Sequence, residues 1–324
     1  ELYVGYLHST TYPVKLSLSS FVRGHTAVIG KTGSGKSHTV GAIIEELLLR
    51  KLPVFIVDPH SEYRFLSVAS RTDRKMHSYY DASPRSFSVN RIRWTMGHVS
   101  EKGFPIKEYY LKTSVLPTTS PSQKQRGTEF RMSILGKDGR AIGLPDLMQS
   151  GRATILDLLG VDPAMAERTV SAILTNLFLS RRNKKIRPFV LVIEEAHSFA
   201  PERGFGSSKA LDIMVTIAKE ARKFNMPTIF VTQRPQLINK TVLAMCQNWF
   251  ILKISNPLDL EAVTSMCEGT TPNSKDLIRN LKTGTALISG LTESPILVDV
   301  RCKRSAIGLS TDLVSELSKF NEAD

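Results

Sequence analysis

Cysteine is scarce in this sequence: Cys246, Cys267 and Cys302 stand far apart, with no CxxC pair. That excludes a disulfide framework and a cysteine zinc site, and leaves reduced thiols packed in a core. The histidines form no HExxH. No apolar run approaches the roughly 18 residues of a membrane span, and no signal peptide is visible, as in a cytoplasmic protein. Zinc-finger, KH, RNP and helix-turn-helix patterns are missing, so nothing supports base-specific recognition, and no internal repeat is found. Acidic residues are also short: 30 Asp and Glu stand against 43 Lys and Arg, a net charge of +13. Such a surplus points to a polyanionic partner, nucleic acid before an anionic membrane surface. The apolar fraction of 41% suffices for a sizeable core in one large or two modest domains. The chain begins at Glu1 rather than a methionine, as a piece of a longer protein does.

What is present starts with residues 30–37, GKTGSGKS, placed between the apolar residues 26–29 and a helical run over 39–49. Strand, glycine-rich turn and helix start together make a P-loop. Gly30, Thr32, Gly33, Ser34 and Gly35, with His38 just beyond, are predicted to close backbone N–H groups around phosphates at the positive end of the helix. Lys36 is predicted to reach the β- and γ-phosphates, and the Ser37 hydroxyl to ligate Mg²⁺. A random chain of this length carries GxxxxGK[ST] with roughly 1% probability, and the flanking elements lower that further. The ligand is therefore a nucleoside triphosphate.

Three further apolar runs end in polar chemistry. Residues 53–57 (PVFIV) lead into DPHSEY, 188–193 (PFVLVI) into EEAH, and 228–232 (TIFVT) into Gln233-Arg234-Pro235. Runs apolar throughout read as strands buried on both faces, and ligands gather at the carboxyl edge of a parallel sheet. All four strand ends should therefore meet at one nucleotide. Further strands are predicted at 153–158, 251–254, 285–289 and 296–300, the last two antiparallel neighbours. Helices are predicted at 163–180, where Asp162 caps and Pro163 opens the first turn, at 208–223 and at 311–320. The fold class is α/β, a mostly parallel central sheet flanked by helices. Over 71–150 the apolar periodicity fades, with strand pieces at 86–89 and 131–135 and a loop at 118–127. That stretch reads as a peripheral insertion.

Roles follow from position. Glu194 sits where a second Mg²⁺-linked acid belongs, opposite Ser37, and Glu195 where a general base would polarise water. Gln233 could bond both the γ-phosphate and that water, and so report nucleotide state to the Arg234 loop. His197 fixes the loop after Glu195. Asp58, whose turn also carries His60 and Glu62, either binds water or Mg²⁺ near the phosphates or caps its own turn. For the arginine that neutralises the transferring phosphoryl, Arg222 is the first candidate, followed by Arg23 and Arg234. Arg203, Ser207, Ser208 and Lys209, on a glycine-containing loop, are the candidate nucleic-acid contacts. The basic run 181–187 reads as a solvated turn away from the nucleotide.

Taken in order, DPHSEY, VLVIEEAHSFAPE, AKEARKF and VTQRP resemble the HerA group of the HerA–FtsK translocases, over residues 3–65 and 153–304. NPLDLEAV at 256–263 extends the match. The resemblance implies a RecA-like (ASCE) ATPase core from residues 21–70 and 151–304, with an inserted subdomain over 71–150. It makes 1–20 a linker from an absent N-terminal barrel and 305–324 a tail helix. It also implies a homo-hexamer with ATP and Mg²⁺ between subunits and double-stranded DNA through the channel. Such rings work with a NurA-type nuclease, or another effector nuclease, in DNA-end resection and repair in the archaeal or bacterial cytoplasm. By position, Lys36 and Ser37 take the P-loop roles, Glu194 and Glu195 the metal and catalytic roles, Gln233 the sensor, and Arg222 the arginine before the sensor strand. The missing barrel and the short, poorly helical 71–150 depart from the family pattern. Two rivals stay open: a VirB4-like secretion or conjugation ATPase, and a nucleotide-gated scaffold subunit of a nuclease or defence complex.

Overall fold

The computed structural model describes residues 1–70, 74–94, 106–118, 127–270 and 273–306. Among the described residues, thirteen strands form one sheet: β1 (Leu2–Leu7), β2 (Pro13–Leu16), β3 (His25–Ile29), β4 (Val54–Asp58), β5 (Ser88–Trp94), β6 (Ile106–Thr118), β7 (Gly127–Leu135), β8 (Arg152–Asp157), β9 (Val190–Ile193), β10 (Thr228–Thr232), β11 (Cys246–Ile251), β12 (Thr285–Ser289) and β13 (Ile296–Val300). Their order is β2-β1-β13-β12-β11-β3-β10-β9-β4-β8-β5-β6-β7. From β11 to β6 every neighbour is parallel. Antiparallel strands close both sides, β12, β13, β1 and β2 on one and β7 on the other. Because β10 lies between β3 and β9, the strand leading into Glu194 is one place removed from the P-loop strand. That interposed strand is the RecA-like arrangement, and it leaves a crevice at the carboxyl edge for a ligand.

The continuous apolar runs work as strands because each face is covered. In β4, Phe55 and Val57 point into one cluster, with Val170, Ile173, Leu174 and Met214 of the helices Pro163–Arg182 and Leu211–Glu220. Val54 and Ile56 point into the other, with Val40, Ile43, Ile44 and Leu47 of the helix Lys36–Leu49. Alternation with period two thus feeds two cores from one buried strand.

Some expected boundaries move. The strand placed at 251–254 is instead Cys246–Ile251. Asn248 is held inside this strand, its amide donating to the Phe21 carbonyl at 3.0 Å and to Thr26 Oγ1 at 3.2 Å. The ladder stops near Ile251 because β3 itself turns into the P-loop, where Lys31 N–H donates to the Lys253 carbonyl at 2.9 Å. The helix placed at 208–223 is shorter, Leu211–Glu220, and tightens into a 3₁₀ turn over Ala221–Phe224 that ends at Asn225, φ 53°. The strand piece expected at 86–89 starts later, as β5 at Ser88, and that at 131–135 lies within the longer β7. The expected helix at 311–320 and the loop positions 119–126 lie outside the described residues. In the basic run, Arg181 is structural: its guanidinium donates to the carbonyls of Phe224 at 2.7 Å and Ile186 at 2.9 Å.

Candidate nucleotide-binding site

The P-loop bridges the end of β3 and the helix Lys36–Leu49, and two of its glycines are required by geometry. Gly35 caps that helix at φ 96°, a left-handed conformation that side chains resist, and a Cβ on Gly30 would stand 2.8 Å from Leu252 Cβ. The loop is tied to the turn before β12. Gly284 N–H donates to the Ser34 carbonyl at 3.1 Å, and Thr283 Oγ1 to the Gly33 carbonyl at 3.4 Å. Ser34 Oγ is buried without a hydrogen-bond partner.

Lys36, Glu194 and Glu195 meet in the interior. Lys36 Nζ donates to Glu194 Oε2 at 3.1 Å and stands 3.7 Å from Glu195 Oε1. Burial alone would lower the Lys36 ammonium, but the two carboxylates outweigh it and hold it above its ordinary value. The adjacent acids are not equivalent. Glu194 has both oxygens engaged, Oε2 by Lys36 and Oε1 by the Tyr63 hydroxyl. Glu195, in a left-handed conformation at φ 47°, keeps a buried Oε2 with no hydrogen bond. His197 Nδ1 lies 3.2 Å from that atom but is spent on Thr232 Oγ1 at 3.0 Å. Burial, with help from Arg234 and Lys36, pushes His197 down to about 4, so it is neutral near pH 7 and fixes the loop rather than carrying charge.

The other candidates divide by edge. Gln233 joins the P-loop: Thr32 Oγ1 donates to its Oε1 at 2.5 Å. Ser37 is half-buried in the first turn of its helix, and His38 Nε2 bonds the Arg301 carbonyl at 3.0 Å. Of the two roles open to Asp58, the geometry displays capping: its carboxylate accepts from the N–H groups of His60, Glu62 and Tyr63 at 3.3, 3.1 and 3.0 Å. His60 and Glu62 are exposed on that turn. Arg234 is exposed just past Gln233. Arg222 is exposed in the turn preceding β10, and Arg23 at the end of the helix Leu18–Arg23 that precedes β3, so both sit at the edge opposite this chain's own P-loop. Beside Arg222, His25 is pushed down to about 4, by burial first and by that guanidinium second.

Arg203, Ser207 and Lys209 are exposed and Ser208 half-buried, on a loop where Gly204 and Gly206 take φ of 91° and 127°. This loop is tied to the segment after Gln233, through Glu202 N–H to the Leu237 carbonyl at 2.7 Å and Lys240 N–H to Glu202 Oε2 at 2.6 Å. A cavity of about 550 Å³ opens beside Gly35 and His38, walled by Tyr80, Thr283 and Cys302. Sequence reasoning missed this cavity and Tyr63. The only signal for Tyr63 was its place in DPHSEY, at the end of a buried strand.

Comparisons with known proteins agree with this geometry. Residues 2–106 match the family model for the central domain of the helicase HerA. The whole chain aligns at 25% identity with 73% of the DNA double-strand break repair helicase HerA of Saccharolobus solfataricus. At the same identity, 86% of it aligns with 65% of the HerA of Pyrococcus furiosus. Among solved structures, VirB4 of Thermoanaerobacter pseudethanolicus shares the fold, with a TM-score of 0.56 at 14% identity over 93% of this chain and 96% of that one. No helix among the described residues is long and apolar enough to cross a membrane. A RecA-like sheet, a P-loop lysine held against paired acids and alignment along the entire length mark the chain as a P-loop ATPase, an ATP hydrolase, similar to the HerA helicases.

Proposed function

We propose that this ATPase is a motor that moves along double-stranded DNA as a homo-hexameric ring, coupled to a nuclease of the NurA type or another effector nuclease in DNA-end processing, in the cytoplasm. The observation that carries the reading is the inequality of the two acids. Glu194 is held at both oxygens, whereas Glu195 keeps one buried oxygen with no hydrogen bond, as a base awaiting the proton of water would. A loop that only bound nucleotide would have no use for such an atom.

The residues fit Mg²⁺. Among the described residues no group of three or more His, Cys, Asp or Glu could hold a metal alone. This suits an ion that takes one or two protein oxygens and otherwise phosphates and water. Ser37 and Glu194 would hold it, and it would offset charge on the phosphates. ATP arriving at the loop draws Lys36 from the carboxylates to the β- and γ-phosphates, while the adenosine end lies in the cavity beside His38. Glu195 then takes the proton of the attacking water. Gln233 exchanges Thr32 for the γ-phosphate and passes its state to the segment that carries Arg203 and Lys209. Arg222 serves a neighbouring subunit's nucleotide, since its own P-loop lies at the other edge.

The relatives named as DNA repair helicases support DNA as the track, as does the charge: each copy adds +13 around one channel. Contacts to phosphates would be independent of sequence and sensitive to salt. The decisive experiment measures ATP hydrolysis with and without linear duplex DNA for the wild type, Lys36→Ala and Glu195→Gln. Stimulation by DNA in the wild type alone, with Glu195→Gln still binding ATP, is the expected result. A rate indifferent to duplex DNA at low salt would overturn the reading.

A further inference from the structure

The turn DPHSEY ends β4 beside the site, yet the chemistry above uses none of its side chains. We infer that Tyr63 is a positioning residue for Glu194, selecting which carboxylate oxygen faces the P-loop. The ring is 1% exposed, and its hydroxyl donates to Glu194 Oε1. With Oε1 claimed, Oε2 is the oxygen presented to Lys36, and it is the oxygen freed when Lys36 turns to phosphate.

A positioning residue must itself be fixed, and this one is. Asp58 binds the Tyr63 N–H at 3.0 Å, together with those of His60 and Glu62, which sets the turn. Ser61 adopts φ 59°, and its Oγ donates to Asp157 Oδ2 at 3.0 Å and accepts from Arg91 Nη2 at 3.2 Å. Arg91, 2% exposed, reaches the same Asp157 oxygen with Nε at 2.6 Å. The brace therefore starts on β5, within residues 71–150, and ends at the acid beside the P-loop. Outer partners of this kind fix the orientation of a metal ligand, and their loss typically lowers metal affinity by about 10–100-fold.

The inference rests on Glu194 being the metal carboxylate, and the test separates the two. A fluorescent ATP analogue is titrated in excess EDTA and in Mg²⁺ against the wild type, Tyr63→Phe, Glu194→Gln and the double variant. Tyr63→Phe should bind within about twofold of wild type in EDTA, because the ring and P-loop remain, but should lose about tenfold of the affinity gained from Mg²⁺. In the Glu194→Gln background the same change should do nothing further, since its effect travels through that carboxylate. Equal losses in EDTA and in Mg²⁺ would mark a packing role, and an undiminished gain from Mg²⁺ would mark no role; either overturns the inference. If Glu194→Gln alone keeps the full gain, the metal assignment fails first and takes the inference with it.

Discussion

One helix, Lys36–Leu49, carries buried charge at both ends, and the two ends are finished differently. Near its carboxyl end, Glu45 and Glu46 meet Arg301, whose guanidinium is fully buried and bonds Glu45 Oε2 at 2.8 Å and Glu46 Oε1 at 3.1 Å. Every remaining oxygen there is used. Ser305 N–H and Oγ reach Glu45 Oε1, and Arg50 and the Tyr3 N–H reach Glu46 Oε2. At the amino end, Lys36 faces two acids and one oxygen of Glu195 is left without a bond. A buried carboxylate whose oxygens are all bonded serves the fold; one with an oxygen left over is poised for something that arrives.

That contrast can be broken at the open end with the largest effects. Arg222→Ala should lower hydrolysis by about 10³-fold or more, the scale of an arginine acting on transferring phosphoryl. Mixing it with Lys36→Ala subunits should restore turnover, because each variant supplies what the other lacks; no rescue at any ratio would remove the role in trans. Glu195→Gln should lower kcat by about 10²–10⁴-fold while leaving the urea midpoint where it was. A shifted midpoint would mean that the open cluster also holds the fold.

At the closed end the expectation reverses. Arg301→Ala strands two buried carboxylates and should cost about 3–5 kcal/mol of stability in urea unfolding. Nucleotide affinity, measured where the variant is still folded, should change little.

Cys302 offers a smaller and finer probe. Of the three cysteines it alone is not buried, and it lines the cavity beside His38. A non-hydrolysable ATP analogue should slow its alkylation by about tenfold, the change expected when roughly nine-tenths of sites are occupied. Unchanged labelling at saturation would place the adenosine elsewhere.

The mildest test uses pH. His197 is pushed down to about 4, so it should contribute no step to kcat near pH 6.5. The neutral ring's contribution to stability is complete above pH 6.5 and is lost as pH falls toward 4, because the unfolded chain binds the proton first. Melting temperatures across that range check it, and His197→Asn should flatten the curve.

How much of this could be read beforehand depended on sequence distance. The P-loop, the buried strands and the acids after β9 were legible because each is a local pattern, an apolar run closed by a fixed motif. The partners of Glu45 and Glu46 were not: Arg301 lies more than two hundred residues away, and two acids on a helix read as a solvated face. Arg91 was hidden for the same reason, inside a stretch whose periodicity had faded. Tyr63 stood in view within DPHSEY, but only the packing of β4 against β9 brings its hydroxyl to Glu194.

The stitching of residues 301–306 has a mechanical side. Arg304 and Ser305 give their N–H groups to Glu45, and Arg301 grips the Ala42 carbonyl, so this segment is riveted to the P-loop helix rather than laid on it. That helix is about 20 Å long at its ordinary rise per residue, with Lys36 at its first position. Tension applied to the segment is borne by a stiff rod whose far tip is Lys36, and a load placed on Lys36 would travel back along the same rod.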